Sequence, residues 1–413
     1  MLNDIPSFAR LWKLWHVGHR PFAQAGSDTL LLASPSGNTL WTCDNKIAKQ
    51  IYSLPSVQTP VKSLEYLDIW GPTISTVEGQ EWKNHRRAVT NGFNPSTYEL
   101  VWEEAIFQTK GLIKHWKEGN DDHRVSNIHY WAIRLVLHIL SGVLFNQRMQ
   151  WNEESKQQSN QKMNSDRMSF PNALSTVVSR LGLILITPRV LLRLPINGLQ
   201  EVGQALTDLT FYMESMRSRT IQKSEDIMAR RRKSLLESIV LAGLPDSNLQ
   251  NAPSSSLAKE SQHMIPSNTT CIVNFSAATQ NPNTWPKAKV TEEYRQQLHN
   301  SHAIDFEPRR WLEEVNRARE ESFWPFAAGY RKCPGRRFAQ VSIIAAVATL
   351  LKKNSIRLVV DEKTLIDHKG DADKAWMAVR ERAMRRLEDD IEVYLTVGMK
   401  GSIPIEIVPH VSC

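Results

Sequence analysis

The sequence predicts a mainly α-helical protein with small β-sheets, and three observations lead to this fold class. Apolar residues recur at helical spacing over most of the chain up to about residue 240. Short segments of β type occur near both ends. The composition, with 41% hydrophobic and 23% charged residues among 413, is typical of a globular protein that buries a large core. We expect one domain over residues 1–413.

The N-terminal part, residues 30–240, is predicted to be a helix-rich segment that begins with a β-hairpin. Leu30 to Thr42 contains two apolar runs around a Ser-Pro-Ser-Gly-Asn turn, which predicts the hairpin. Asp44 can cap the helix that follows, because its carboxylate can accept hydrogen bonds from the first backbone N–H groups. Apolar spacing predicts helices from Tyr98 to Trp116 and from Trp131 to Phe145, and the second is apolar enough to be well buried.

The pattern changes twice further along the chain. The polar stretch from Asn152 to Ser169 predicts a mobile loop, and helical spacing then returns from Thr176 to about Val240. Residues 241–263 are rich in Ser, Asn, Pro and Gln and have no period, which predicts a linker. In the C-terminal part, residues 264–413, we expect three features: a strand at Thr269–Phe275, an apolar helix at Phe338–Leu351, and β segments between Ile391 and Val408.

Composition excludes several classes of function. The 51 Lys and Arg residues exceed the 43 Asp and Glu residues, for a net charge of +8, but they are spread along the chain. The tightest run, Arg230 to Lys233, is more typical of a solvated helix face than of a nucleic-acid site. The sequence has no G-x-S-x-G, no H-E-x-x-H and no phosphate-binding glycine loop. The four cysteines are far apart and form no C-x-x-C pair, which argues against a disulfide scaffold or a zinc site and for a reducing compartment.

One segment carries a specific chemical signal: Phe326-Ala-Ala-Gly-Tyr-Arg-Lys-Cys333-Pro-Gly335, just before the apolar helix. It resembles the haem-binding loop of the cytochrome P450 family, F-x-x-G-x-R-x-C-x-G, at all five fixed positions. The resemblance implies a haem whose iron is held by the Cys333 thiolate. It also implies that Arg331 pairs with a haem propionate, and that Phe326 and Gly335 belong to the haem-binding loop. The alternative is a buried free cysteine in front of a core helix.

The residues around Cys333 suit that chemistry. A cysteine sulfur binds iron as a thiolate, and nearby positive charge favours the thiolate. Four basic residues and the N-terminus of the following helix would supply that charge. The basic residues are Arg331, Lys332, Arg336 and Arg337. Gly329 and Gly335 permit tight turns, so that the backbone can approach a flat macrocycle, and electron donation from the thiolate helps to cleave a bound O–O bond.

Two further segments resemble the same family. Trp82 and Arg86 form W-x-x-x-R and would share one face of a helix, where the family directs both side chains at a haem propionate. On its own this pair would equally suit an ordinary amphipathic helix. Phe306-Glu-Pro-Arg-Arg310-Trp311 resembles the F-x-P-x-R-W segment, in which the arginine, here Arg310, is braced by an E-x-x-R helix. The alternative for this segment is a solvated basic turn.

The family has a long distal helix and then an E-x-x-R helix between the segments that correspond to Val240 and Met264. The distal helix alone takes roughly 30 residues and spans about 45 Å. About two dozen residues separate Val240 from Met264, so we expect a contiguous central block to be absent. Ala25-Gly-Ser-Asp-Thr29 matches the oxygen-activating A-G-x-[DE]-T letter for letter, but it leads into the N-terminal hairpin. The E-x-x-R matches at Glu214–Arg217 and Glu292–Arg295 lie in the wrong context. We interpret all three as coincidences.

The fold class is therefore that of the cytochrome P450 family, mainly α with small β-sheets and truncated in the middle. The resemblance implies a haem-dependent monooxygenase that hydroxylates a lipophilic small molecule with O₂. Its electrons would come from an NADPH-dependent flavoprotein reductase. The segments Asp68-Ile-Trp-Gly-Pro72 and Glu78-Gly-Gln-Glu-Trp82 resemble the fungal branch of the family, which implies a tailoring step in secondary metabolite biosynthesis. The alternative is a catalytically inactive, truncated derivative that binds haem poorly or serves as a binding protein. No nucleic-acid partner is expected.

The cellular location is left open by the sequence. No stretch reaches the roughly 18 consecutive apolar residues that a membrane-spanning helix needs. We therefore expect no anchor in this chain, and a location in the cytoplasm or on the cytoplasmic face of the endoplasmic reticulum, with peripheral membrane contact as an open alternative.

Overall fold

The structure is a computed structural model that describes most of the chain between residues 17 and 410. It covers residues 17–35, 37–54, 57, 59–119, 124–151, 167–188, 191–193, 196, 198–229, 233–242, 265–266, 268–281, 284–285, 323–393 and 397–410. These residues fall into two compact units. The first is drawn from Met1–Gln58, Asn251–Cys333 and Arg380–Gly401, and the second from Thr59–Gln250, Pro334–Val379 and Ser402–Cys413. The expectation of a single domain stays a prediction.

Helices dominate the described residues. The α-helices are α1 (Arg20–Ala25), α2 (Asn45–Ser53), α3 (Gly79–Gly92), α4 (Pro95–Gly119), α5 (Ile128–Phe145), α6 (Phe170–Ser179), α7 (Leu181–Ile186), α8 (Leu199–Gln222), α9 (Ser224–Ala229), α10 (Leu235–Ala242), α11 (Phe275–Gln280), α12 (Arg336–Leu351), α13 (Glu362–Asp367) and α14 (Ala372–Asp389). The strands are β1 (Thr29–Ser34), β2 (Gly37–Thr42), β3 (Arg124–Val125), β4 (Thr270–Val273), β5 (Asn354–Leu358), β6 (Ile391–Val393), β7 (Val397–Met399) and β8 (Ile405–Pro409). The predicted fold class, mainly α with small sheets, is confirmed.

The first unit is built on a three-stranded sheet in the order β1-β2-β4. β1 and β2 form the predicted antiparallel hairpin, in which Thr29 faces Thr42. β4 then adds to β2 in parallel, with Thr39 opposite Thr270. The sheet covers a small core of buried side chains, namely Phe22, Trp41, Cys43, Ala277 and Ala278. Residues from both sides of the predicted linker therefore make one sheet.

The second unit has a helical core and a small sheet. α4, α5 and α12 contribute the buried residues Val101, Ala105, Ile139, Val143, Phe338 and Ala345. A second cluster joins α6 and α8, and a third lies beside the sheet β3-β8-β5. The apolar spacing of these helices explains why they pack, because each presents one apolar stripe to its neighbours.

A buried polar network crosses the interior of the second unit. The His138 ring stacks on Trp151, with ring centres 4.0 Å apart, and its Nδ1 lies 3.1 Å from Gln108 Oε1. Glu104 accepts hydrogen bonds from Gln108 and from Arg148 Nε, the second at 2.8 Å. Burial, and then the charge of Arg134, lowers the pKa of His138 to about 3. His138 is therefore neutral in the folded protein at ordinary pH.

Several local predictions are confirmed. The Asp44 carboxylate accepts hydrogen bonds from the N–H groups of Lys46 and Ile47, at 2.7 and 2.9 Å, and caps α2. The predicted helix at Tyr98–Trp116 lies within α4, and β4 occupies most of the predicted strand at Thr269–Phe275. The predicted C-terminal β segments correspond to β6, β7 and β8.

The helix α5 differs from its prediction. It was expected to be well buried, but Tyr130, Ile133 and Val136 are exposed while Ile139 and Val143 lie in the core. Among the described residues, α5 alone is long and apolar enough to cross a membrane, with a mean hydropathy of 1.5 over 18 residues. A core helix of a soluble protein can have the same length and composition.

Some predictions fall outside the described residues. The linker at 241–263 does so apart from its first two residues, which end α10. Most of the predicted mobile loop at Asn152–Ser169 and the segment with Arg310 also lie outside them, as does the E-x-x-R match at Glu292–Arg295.

Candidate functional site

The cysteine loop, residues 326–335, is closed by a backbone hydrogen bond. The N–H of Cys333 donates to the carbonyl oxygen of Phe326 at 2.9 Å, and the N–H of Lys332 donates to Gly329 at 3.3 Å. The loop therefore brings Phe326 and Cys333, two of the predicted site residues, directly together. It turns back on itself through left-handed backbone at Ala327 and Gly329, whose φ angles are 55° and 69°.

Gly329 is required by its surroundings as well as by its backbone angle. A Cβ atom at this position would lie 2.5 Å from the carbonyl oxygen of Tyr52 and 2.9 Å from the Tyr52 Cβ. Gly335 differs, because its φ of −80° is one that any residue adopts. Gly335 lies in a turn directly before α12, as the N-cap residue of that helix, and its role in the approach of a macrocycle stays a prediction.

An aromatic cluster supports the N-terminal side of the cysteine loop. Tyr52 of α2 stacks on Phe275 with ring centres 6.3 Å apart, and Trp324 packs edge-on against Tyr52 at 5.8 Å and against Phe275 at 6.3 Å. Burial raises the pKa of Tyr52 to about 12, so its hydroxyl stays protonated. Sequence reasoning missed this support, because its three members come from distant parts of the chain.

The exposure of Cys333 distinguishes it from the other described cysteines. Cys333 is exposed, whereas Cys43 is buried and Cys271 is half-buried. This excludes the alternative of a buried structural cysteine at position 333. A flat macrocycle can approach an exposed sulfur on a tight loop, so the donor present fits a haem iron, which binds a single cysteine thiolate in such proteins.

Positive charge surrounds Cys333 along the chain. Lys332, Arg336 and Arg337 are exposed and Arg331 is half-buried. The 16-residue helix α12 begins at Arg336, three residues after the cysteine, and the N–H of Ala339 donates to the carbonyl of Gly335. The N-terminus of a helix carries partial positive charge, so the start of α12 favours an anion close to it. This setting suits a thiolate.

Trp82 and Arg86 lie in the second unit, on α3. The helix runs from Gly79 to Gly92, which places the two half-buried side chains four residues apart on one face. The helical context that the W-x-x-x-R interpretation needs is therefore present. Trp82 and Arg86 each interact with other residues of the protein.

The structure describes two of the three motif matches that we interpret as coincidences, at Ala25–Thr29 and at Glu214–Arg217. Ala25 ends α1, Gly26 follows it in left-handed backbone, and Thr29 begins β1, so the A-G-x-D-T match does not lie in a long helix. Glu214 and Arg217 form an exposed ion pair at 2.8 Å within α8. Exposed pairs of this kind contribute little to stability.

Comparison with known proteins identifies the family. The cytochrome P450 family model matches residues 43–261 and 254–373. The chain is 27% identical over 217 residues to a protein named cytochrome P450 monooxygenase ORF6 of Penicillium roqueforti (strain FM164), which covers 51% of this chain and 36% of that protein. It is 26% identical over 223 residues to cytochrome P450 monooxygenase 124 of Postia placenta, which covers 52% of this chain and 41% of that protein. In these matches the chain spans only about two-fifths of each relative's length.

Solved structures agree on the fold. The crystal structure of the cytochrome P450DA heme domain superposes with a TM-score of 0.58 at 12% identity, over 95% of this chain and 92% of that chain. At this identity the likeness concerns the fold alone. Because the family model matches well over half of the residues, the chain belongs to the cytochrome P450 family.

Proposed function

We propose that this chain is a haem-thiolate monooxygenase that oxidises a lipophilic small molecule with O₂. The observation that carries the proposal is the exposed Cys333 on its closed loop, within the five-position haem-binding motif. A haem held by this cysteine would supply the chemistry of O₂ activation.

In this proposal the chain's own residues hold and tune the cofactor. Cys333 would hold the haem iron through its sulfur, and the bond from its N–H to the Phe326 carbonyl keeps this part of the loop in place. The basic residues and the N-terminus of α12 follow or flank Cys333 along the chain and would place positive charge beside the iron-bound sulfur. The aromatic cluster of Tyr52, Phe275 and Trp324 restrains the loop from behind.

Three side chains are assigned to the haem propionates. Arg331 and Arg86 would supply guanidinium groups, which bind carboxylates with paired hydrogen bonds. Trp82 would donate its indole N–H to the same groups. The helical face shared by Trp82 and Arg86 supports a common target for these two side chains. Single substitutions at these positions should weaken haem binding without changing the type of axial ligand.

The substrate and partners follow from the family and remain proposals. One relative is a phomenoic acid biosynthesis cluster cytochrome P450 monooxygenase of Leptosphaeria maculans, 22% identical over 205 residues. This supports a role in secondary metabolite biosynthesis. Electrons would come from an NADPH-dependent flavoprotein reductase, and the net charge of +8 suits docking to an acidic partner.

The test is the difference spectrum of the reduced, carbon-monoxide-bound protein, with Cys333→Ser as the variant. We expect a thiolate-type Soret band in the wild-type chain and its loss in Cys333→Ser. Cys271→Ser is the matched control, because it removes a half-buried thiol outside the loop. A Soret band that is identical in the wild type and in Cys333→Ser would refute the assignment of Cys333.

A second candidate function is haem binding without turnover. The family model matches in two pieces whose junction, residues 254–261, falls in the predicted linker. Apolar side chains on one face of α12 are exposed, at Ile343, Ile344, Val347 and Leu351. Both observations support the absence of a central block that would carry the proton relay and part of the substrate pocket.

The two candidates differ in one measurable way. A monooxygenase consumes reductase-supplied electrons in step with product, whereas a haem-binding derivative gives the thiolate spectrum and no product. A longer transcript that encodes both A-G-x-[DE]-T and E-x-x-R between residues 240 and 264 would favour the enzyme.

A further inference from the structure

Three potential metal ligands meet in the first unit, away from the cysteine loop in sequence. They are His19, Asp28 and Cys43, whose ligating atoms all lie within 4.8 Å of one another. His19 Nε2 is 2.8 Å from Asp28 Oδ1. His19 and Cys43 are more than nine-tenths buried, and the Asp28 side chain is about a third exposed.

The backbone holds these residues together independently of any ligand. Asp28 and Cys43 are the next pair beyond Thr29 and Thr42 in the hairpin, and the N–H of Cys43 donates to the carbonyl of Asp28 at 2.9 Å. His19 directly precedes α1, and its ring stacks on Phe22 with centres 5.9 Å apart. Each ligand therefore sits at the end of a regular element, where its position is well defined.

The cluster also has an outer partner. Asn281 donates from Nδ2 to Asp28 Oδ2 at 2.9 Å, which leaves Oδ1 directed at His19. Metal-binding carboxylates are commonly held by such a second hydrogen bond.

We propose that His19, Asp28 and Cys43 form a binding site for Zn²⁺. Burial and the neighbouring Asp28 raise the pKa of the Cys43 thiol, so the ion must displace its proton on binding. One thiolate and one carboxylate would then balance the charge of the ion, and a sulfur–nitrogen–oxygen donor set favours zinc over magnesium or calcium. Three protein ligands leave one position of a tetrahedral ion for water, which can reach it from the exposed side of Asp28. Tetrahedral bonds of about 2.0–2.3 Å separate the ligands by roughly 3.3–3.8 Å. To bind the ion, the His19 and Asp28 atoms, now 2.8 Å apart, must move apart by about 0.5 Å, and a pair near the 4.8 Å limit must close by roughly 1–1.5 Å.

This proposal departs from the expectation drawn from the sequence, which argued against a zinc site because no C-x-x-C pair is present. The ligands are spaced by 9 and 15 positions. The hairpin and α1, rather than a local motif, bring them together. Binding would tie α1 to the hairpin and stabilise the first unit.

The test uses the full-length Cys333→Ser chain, which removes the thiol of the cysteine loop as a competing metal ligand. After treatment with a chelator, the chain is titrated with Co²⁺ as a spectroscopic probe and with Zn²⁺ followed by metal analysis. We expect one metal ion per chain and a cobalt–thiolate charge-transfer band. Adding Cys43→Ser should abolish the band, whereas adding Cys271→Ser, the matched control on β4, should leave it unchanged.

Two further variants separate the contribution of a metal ligand to zinc binding from that of its hydrogen-bond partner. Asp28→Asn keeps the shape of the side chain and should weaken zinc binding by at least about 100-fold. Asn281→Ala removes only the outer partner and should weaken it about 10-fold. A structural role alone would lower stability in these variants without any metal dependence.

X-ray absorption of the zinc-loaded Cys333→Ser chain keeps the proposal testable even if the cluster variants misfold. One sulfur at about 2.3 Å with nitrogen and oxygen at about 2.0–2.2 Å is expected. The proposal is overturned if no stoichiometric metal binds, if the bound metal has no sulfur ligand, or if the cobalt band survives Cys43→Ser.

Discussion

Replacing Gly329 by alanine probes how the cysteine loop is held against α2. The substitution has two separable costs. The first is the left-handed backbone at φ 69°, which costs an L-residue about 1–2 kcal/mol. The second is the approach of the new Cβ to the Tyr52 carbonyl oxygen at 2.5 Å, where the neighbour is backbone and cannot rotate away. Overpacking of this kind costs about 1–3 kcal/mol. We expect a total loss of about 2–5 kcal/mol.

Gly26→Ala is the matched control, because it isolates the first cost. Gly26 has φ 66° in the same unit, and a Cβ there would meet nothing within 4 Å. Urea unfolding of the two variants should therefore differ by about 1–3 kcal/mol, which is the part due to Tyr52. The carbon monoxide difference spectrum should also show a smaller thiolate fraction for Gly329→Ala than for Gly26→Ala. Equal unfolding free energies, within about 0.5 kcal/mol, would refute the reasoning.

Three further predictions concern stability elsewhere in the chain. Because His138 stays neutral down to about pH 3 while an unfolded histidine binds a proton near pH 6.5, stability should fall as the pH drops through this window. His138 changes the free energy of unfolding by at most about 1.4 kcal/mol per pH unit. The free energy of unfolding of His138→Gln, measured at several pH values, should not show this contribution. Asp44→Ala removes the cap of α2 and should cost about 1 kcal/mol in urea unfolding, whereas Asp44→Ser should retain most of it. Gly203→Ala should destabilise, because its Cβ would clash with the Leu192 carbonyl oxygen. Gly182→Ala, whose Cβ meets open space, should be neutral or stabilising by up to about 1 kcal/mol. Equal melting temperatures for these two variants would contradict this account.

Features that depend on neighbouring residues could be predicted from the sequence. The hairpin from Leu30 to Thr42 and the Asp44 cap rest on signals within a few residues, and both are present in the structure. The helical position of Trp82 and Arg86 followed in the same way from their spacing of four. The haem-binding motif is also local, so the Cys333 loop could be located from the sequence alone.

Features that depend on distant partners could not be predicted. The apolar face of α5 looks uniform in sequence, and only its packing against α4 and α12 decides which side is buried. The contact between Gly329 and Tyr52 joins the loop to a helix almost 280 residues earlier. The His19–Asp28–Cys43 cluster likewise requires the hairpin register and the path of α1, neither of which carries a sequence motif.

The parallel pairing of β2 with β4 has a consequence for how the first unit responds to a change in the length of the chain between these strands. The strands enclose a loop of roughly 230 residues, and the entropy lost on closing a flexible loop grows only with the logarithm of its length, by about 0.6 kcal/mol per doubling. Removing a block of intervening sequence would therefore change the free energy of forming this sheet by less than one hydrogen bond. The bond between Asp28 and Asn281, 253 positions apart, closes the same loop. During synthesis the N-terminal hairpin cannot pair with β4 until β4 has left the ribosome. The sheet of the first unit is therefore completed late, whatever the length of the chain between the two strands.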